Sequence, residues 1–178
     1  MSRLSTPALE SASGLTAEIY AQIKKAIGTI PNAYAAIGAF GPAALKAILQ
    51  ADGVLAGSTL SNQDRETIKL VVSESAGCDY CVAAHSMLAK MTGLPPNVLA
   101  AIRAGQPTGD PKRDALVRLV RKLTRTRGTI SAEEFSAIRA AGYSNQQLVE
   151  ISLAIALTTF SNVFNRINDT DIDFPAVE

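Results

Sequence analysis

Three observations together predict an all-α fold, a single-domain helical bundle. Ala and Leu are abundant while aromatic residues make up only 5% of the chain, with no Trp, a balance that favours helix over strand. Glycine, proline and capping residues divide the chain into apolar stretches of helical period. No credible strand series, internal repeat or low-complexity tract accompanies them.

At 178 residues the chain is long enough for one buried core. Residues 1–14 are rich in Ser, Ala and Pro and read as a flexible N-terminal arm, leaving 15–178 as one all-helical domain.

Thr16 reads as the N-cap of a first helix that Gly28 closes. Pro31 suits the first residue of a short second helix, and Gly41-Pro42 separates it from a third over 43 to about 55. Ser61 caps a fourth helix whose apolar positions Ile68, Leu70, Val71 and Val72 are nearly continuous, so it is expected to be buried on more than one side. That helix stops at Gly77. A fifth starts at Cys78 or Asp79 and ends at Gly93, where Pro95-Pro96 prevents continuation and Pro96 opens a sixth to 104.

After a loop with two Pro and two Gly over 105–111, Ala115, Leu116, Leu119, Val120 and Leu123 mark a seventh helix with a basic outer face. Ser131 with Glu134, and Ser144 with Gln147, have the spacing of capping boxes and start two more helices. The last, about 146–165, carries more apolar surface than one face can hold. Together with the Val71-Val72 region it predicts a homo-oligomer.

Composition excludes several partners. With 17 basic against 16 acidic side chains there is no charge excess to draw nucleic acid or an anionic membrane. The N-terminus lacks the apolar stretch of a secretory signal, and the longest apolar run, near 151–157, is too short to span a bilayer, so a cytoplasmic location is expected. Two Cys are too few for a disulfide framework. Their closeness in Cys78-Asp79-Tyr80-Cys81 is instead a chemical signal.

On one helix, Cys78, Cys81 and His85 share a narrow face, and Cys81 and His85 have the i, i+4 spacing at which side chains touch. His85, the only histidine, has the side chain best suited to proton transfer near neutral pH. The two Cys stand near the separation a disulfide requires, at a helix start that favours thiolate. His85 lies one turn from Cys81 but nearly two from Cys78. A positioned base outweighs a helix terminus, which predicts Cys81 as the attacking sulfur.

Zinc is the rival for these side chains, but structural sites want four ligands from separate turns, and a carboxylate such as Glu66 would have to complete the set. No metal and no cofactor are therefore expected. Glu66 on the preceding helix is a candidate to hold His85 in one tautomer, with Glu74 as a competing carboxylate and an exposed pair with Lys69 or Arg65 as the plainer alternative. Tyr80 is expected to pack its ring. Asn162, Asn165 and Arg166 fit a surface face, a C-terminal cap or a subunit contact equally well.

The stretch Arg65-Glu66 through Cys78-Asp79-Tyr80-Cys81-Val82-Ala83-Ala84-His85 resembles the signature of the alkylhydroperoxidase D and carboxymuconolactone decarboxylase superfamily, a Glu twelve residues before C-x-x-C-x-x-x-H. The tail from Phe164-Asn165-Arg166 to Asp173-Phe174-Pro175 looks like the peroxidase-related branch. The resemblance implies an all-α catalytic domain assembling into trimers or hexamers. By the same likeness Cys81 matches the peroxide-attacking cysteine, Cys78 its resolving partner, His85 the proton-handling histidine and Glu66 the carboxylate behind it. One departure is Tyr80, where the pattern has a second His.

The expected activity is thus a thiol-dependent peroxidase acting on organic hydroperoxides or hydrogen peroxide. With no third Cys, an external dithiol must reset it, and the resemblance suggests a lipoyl-bearing or thioredoxin-like protein. The alternatives are a redox sensor or binding subunit without peroxide turnover, and a decarboxylase-like enzyme in which both Cys are vestigial.

Overall fold

The structure, a computed structural model, describes residues 1–177. Among them are nine α-helices and no strand: α1 (Gly14–Ile27), α2 (Asn32–Phe40), α3 (Pro42–Ala56), α4 (Asn62–Ala76), α5 (Asp79–Met91), α6 (Pro96–Ala104), α7 (Pro111–Arg125), α8 (Ala132–Ala140) and α9 (Asn145–Asn168), with one 3₁₀ turn at Leu9–Ser11. The all-α expectation holds, and so do most of the punctuation marks. Ser61 accepts a hydrogen bond from the Asp64 backbone, and both capping boxes form.

The bundle is organised around α4, which packs against α5, α6, α7 and α9. Ile68, Leu70, Val71 and Val72 are buried in the main core with Leu99, Ile102, Leu116, Val120, Ile151 and Ala154. Burial on more than one side of α4 is therefore met within the chain, and Val71 and Val72 offer no surface to another subunit. A second cluster joins α1, α2 and α3 through Ile19, Tyr20, Ile23, Ile37 and Leu45. There Gly38 lets Tyr20 lie against the α2 backbone, since a Cβ on Gly38 would come within 2.5 Å of the ring.

Thr16 does not cap α1. The helix begins at Gly14, and the Thr16 hydroxyl donates instead to the Gly38 carbonyl at 3.1 Å, tying α1 to α2. Likewise Pro31 precedes α2 rather than opening it: its ψ of 145° is non-helical, and its carbonyl accepts from the Ala35 amide at 2.9 Å as an N-cap does.

The helix α9 runs over 24 residues and is the one helix among the described residues long and apolar enough to cross a membrane. Its inner face carries Thr158, Asn162, Asn165 and Asn168, all buried, while α3, α4 and α5 pack on it. Its outer face leaves Val149, Phe160, Val163 and Ile167 exposed. Asp169 ends it in the left-handed region at φ 51°, a conformation that Asp tolerates better than most residues. The chain then turns back across the bundle. The first residues fasten onto this end: the Met1 amino group lies 3.0 Å from Asp171, and the Arg3 and Leu4 amides donate to the Asn168 carbonyl and side chain at 2.7 and 2.8 Å.

Candidate active site

The site is built on the hairpin between α4 and α5. Gly77 adopts φ 64°, and the amides of Gly77 and Cys78 donate to the carbonyls of Glu74 and Ser73. Only a left-handed residue closes a helix this tightly, and Gly does so without a Cβ penalty. The reversal lays α5 along α4 and brings Glu66 to His85, with Nδ1 and Oε2 2.9 Å apart.

Both side chains are largely buried, at 16% exposure for His85 and 12% for Glu66. Burial pushes the Glu66 carboxyl upward, but the His85 hydrogen bond and the charges of His85, Lys69 and Arg65 bring it below its ordinary value. An ionised carboxylate only accepts, so Nδ1 carries the proton and Nε2 is left as the basic nitrogen. Lys69 bridges Glu66 at 3.8 Å and Asp52 at 3.2 Å, a link from α3 that sequence reading missed. The other carboxylate, Glu74, pairs with Arg103 of α6 at 2.8 Å. Arg65 bonds Asn62 and the Leu60 carbonyl.

Cys78 stands just before α5 with extended backbone angles, φ −101° and ψ 92°, and Cys81 lies in the first turn. Their sulfurs are 2.7 Å apart, and the two residues are 2% and 3% exposed. The hydrogen bond between them couples their titration. It draws the Cys78 thiol below its usual range despite burial, and the same bond with burial pushes Cys81 up, with the Asn165 amide pulling it back. Physically these shifts belong to the pair: the first proton leaves readily because the remaining S–H solvates the new thiolate, and the second is retained. Arg166 favours charge at Cys78, whereas Asn165 Nδ2 donates to Cys81 Sγ at 3.3 Å.

Tyr80 is held between α2 and the C-terminal tail. Its hydroxyl accepts from the Ala33 amide at 3.1 Å, and its ring meets Phe174 edge to face with centroids 5.3 Å apart. Ala33, Cys78, Tyr80 and Cys81 form one buried cluster, against which Phe174 of the C-terminal tail packs. Asp173 and the Asp171 carbonyl hold that tail to Asn32 at 2.8 and 2.9 Å. Tyr34 of α2 lies within electrostatic reach: burial, with the charges of Asp52, Cys81 and Glu66, pushes its hydroxyl up to about 12. Among the described residues no group of three His, Cys, Asp or Glu side chains is arranged to hold a metal ion.

The site thus brings together a Cys pair in contact, a histidine one helical turn after Cys81 and a buried carboxylate on that histidine, groups whose chemistry is suited to thiol redox work. Residues 34–122, half of the chain and the part that carries α4, α5 and both cysteines, match the carboxymuconolactone decarboxylase family. The chain belongs to that family.

Curated proteins offer no match. Solved structures do. A peroxidase-related protein from Ralstonia eutropha JMP134, described as having the alkylhydroperoxidase AhpD core, superposes with a TM-score of 0.84 at 20% identity, over 97% of this chain and 92% of that one. A peroxidase-related protein from Silicibacter sp. TM1040 gives 0.80 at 21% identity, over 96% and 91%. A Cys-to-Ala variant of the debrominase Bmp8 in complex with 2,3,4-tribromopyrrole gives 0.80 at 20% identity, over 97% and 93%. These likenesses establish the carboxymuconolactone decarboxylase family member as an alkylhydroperoxidase D-like fold.

Proposed function

We propose that this family member is a thiol peroxidase that reduces organic hydroperoxides or hydrogen peroxide. The observation that carries the reading is the His85–Glu66 hydrogen bond of 2.9 Å, set one helical turn from a Cys81 whose sulfur touches that of Cys78. Peroxidase-related neighbours of the same fold agree with it.

In this reading His85 Nε2 takes the Cys81 proton, and Glu66 stabilises the imidazolium. The Cys81 thiolate attacks one peroxide oxygen, the O–O bond breaks, and the departing alkoxide or hydroxide takes the proton from His85. Cys81 is left as a sulfenic acid. The Cys78 sulfur then attacks the Cys81 sulfur, forming the disulfide and releasing water with the Cys78 proton. An external dithiol on a lipoyl-bearing or thioredoxin-like protein returns the pair to the reduced state by exchange. A pair that an external dithiol must keep reduced suits a cytoplasmic setting. A homo-oligomer, trimer or hexamer, would cover the apolar outer stripe of α9.

The test is to treat Cys78→Ser and Cys81→Ser with one equivalent of peroxide and follow sulfenic acid by mass spectrometry. Cys78→Ser traps the sulfenic acid on Cys81, whereas Cys81→Ser stays nearly inert. Equal reactivity of Cys81→Ser and the parent would reverse the assignment.

The contact of the two sulfurs, 2.7 Å apart, also fits one second reading, a redox sensor that forms the disulfide without turnover. Stopped-flow oxidation separates them: a peroxidase reacts far faster than a free thiol of the same pKa, and a sensor need not.

A further inference from the structure

The hydrogen bond from Asn165 to Cys81 is the last link of a buried chain whose direction is fixed at its far end. The Leu4 backbone amide lies 2.8 Å from Asn168 Oδ1. An amide N–H can only donate, so the oxygen of the Asn168 side chain must face it and the NH₂ must face the other way. That NH₂ donates to Thr170 Oγ1 at 3.0 Å. With its lone pair engaged there, the Thr170 hydroxyl directs its own proton to Asn165 Oδ1 at 2.8 Å. The Asn165 NH₂ is thereby turned to the Cys81 sulfur at 3.3 Å. Asn165, Asn168 and Thr170 are all buried, so water does not compete for the links.

A sulfur that must accept is better served as a thiolate than as a thiol, because hydrogen bonds to charged groups are the stronger ones. Each donor in the chain also polarises the next. The turn at Asp169 brings Thr170 back over α9, and the Thr170 amide bonds the Asn165 carbonyl at 3.2 Å, which holds the hydroxyl in place.

We propose that Asn165 is a catalytic residue that stabilises the thiolate on Cys81, and that Thr170 and Asn168 are positioning residues that keep its NH₂ aimed at the sulfur. The inference rests on the reading of Cys81 as the attacking cysteine. It also accounts for Asn165 and Asn168 on the buried face of α9: with Thr170 they form a proton-directional rod from the chain's N-terminal segment to the reacting atom. The pull of Asn165 on the Cys81 thiol is in the same sense. Other charged or titratable groups that act on the sulfurs are Asp79 and Tyr80 on α5, Tyr34 on α2 and Arg166 on α9, with the His85–Glu66 pair on the neighbouring turns of α5 and α4, and the variants below leave all of them in place.

The experiment titrates the single remaining thiol of the full-length Cys78→Ser chain by its ultraviolet thiolate absorbance, which needs no peroxide and so succeeds or fails independently of turnover. Thr170→Val keeps the side-chain shape but cannot donate, freeing the Asn165 amide to turn. It should raise the Cys81 midpoint by about one unit, a tenfold loss of thiolate at fixed pH. Thr170→Ser should restore the parent midpoint, and Asn165→Ala should raise it at least as far as Thr170→Val. A midpoint unchanged in Thr170→Val, with the helical circular dichroism of the parent, would overturn the proposal. If Asn165→Ala does not fold, Thr170→Val with its Ser rescue decides alone.

Discussion

Glu66 Oε2 and His85 Nδ1, from two different helices, meet at 2.9 Å in a largely buried position, while Glu74 on the same helix is turned away to Arg103. Both carboxylates were plausible partners by spacing. The hairpin geometry at Gly77 and the position of α6 separate them, so one orients the histidine and the other holds the surface together.

This pairing predicts a hierarchy of rates. His85→Ala removes the base and should slow the first oxidation of Cys81 by roughly a hundredfold or more. Glu66→Gln keeps a hydrogen-bonding oxygen but loses the charge that stabilises the imidazolium, so its loss should be smaller. Stopped-flow oxidation under single-turnover conditions measures both, and a Glu66→Gln defect as large as that of His85→Ala would contradict a role acting through the histidine.

The same pairing makes a pH prediction. Because the Glu66 carboxyl lies below its ordinary value of 4.5 in the folded chain, the unfolded chain binds more protons between the two values, and stability rises with pH there. The contribution is complete above the unfolded value and is lost as pH falls through the lowered one. Denaturant unfolding from neutral pH down to the acid side should show a shallower acid loss in Glu66→Gln than in the parent. An identical slope would mean that this carboxylate is not held by His85 and Lys69 in solution.

Phe174 should guard the sulfurs. Its edge-to-face contact with Tyr80 closes the cluster that contains Cys78 and Cys81. Phe174→Ala should cost at least about 1 kcal/mol, the aromatic-pair contribution to which the loss of its partly buried ring adds, and should speed the reaction of both thiols with a bulky disulfide reagent. Tyr80→Phe keeps the ring but leaves the buried Ala33 amide without its acceptor, a loss of roughly 1–3 kcal/mol. Chemical unfolding and thiol-labelling rates test both.

The outer stripe of α9, with Val149, Phe160, Val163 and Ile167 exposed, should be an oligomer interface. Light scattering should return a trimer or a hexamer for the parent, and Val163→Asp should shift it toward monomer without loss of helicity. A parent that stays monomeric over the accessible concentration range would refute this.

Helix ends were legible because caps are local. The Ser131–Glu134 and Ser144–Gln147 boxes and the Gly28 and Gly77 stops need only a few residues to satisfy their own backbone groups. Where a local signal was ambiguous, a tertiary partner took it: Thr16 looks like a cap in isolation, but its hydroxyl serves the Gly38 carbonyl.

By itself, then, the sequence determined the helical class, the order of the helices and the pairing of Cys78 with Cys81 at the start of the helix that carries His85, since short-range spacing and helix period decide all three. Only the tertiary structure decided that Glu66 rather than Glu74 reaches His85, that Tyr80 serves α2 and the tail, that Val71 and Val72 are used within the chain, and that Asn165, 84 residues from Cys81, donates to its sulfur. Each of these depends on which faces of distant helices dock. That choice comes from burying the shared core around α4, and no single segment contains it.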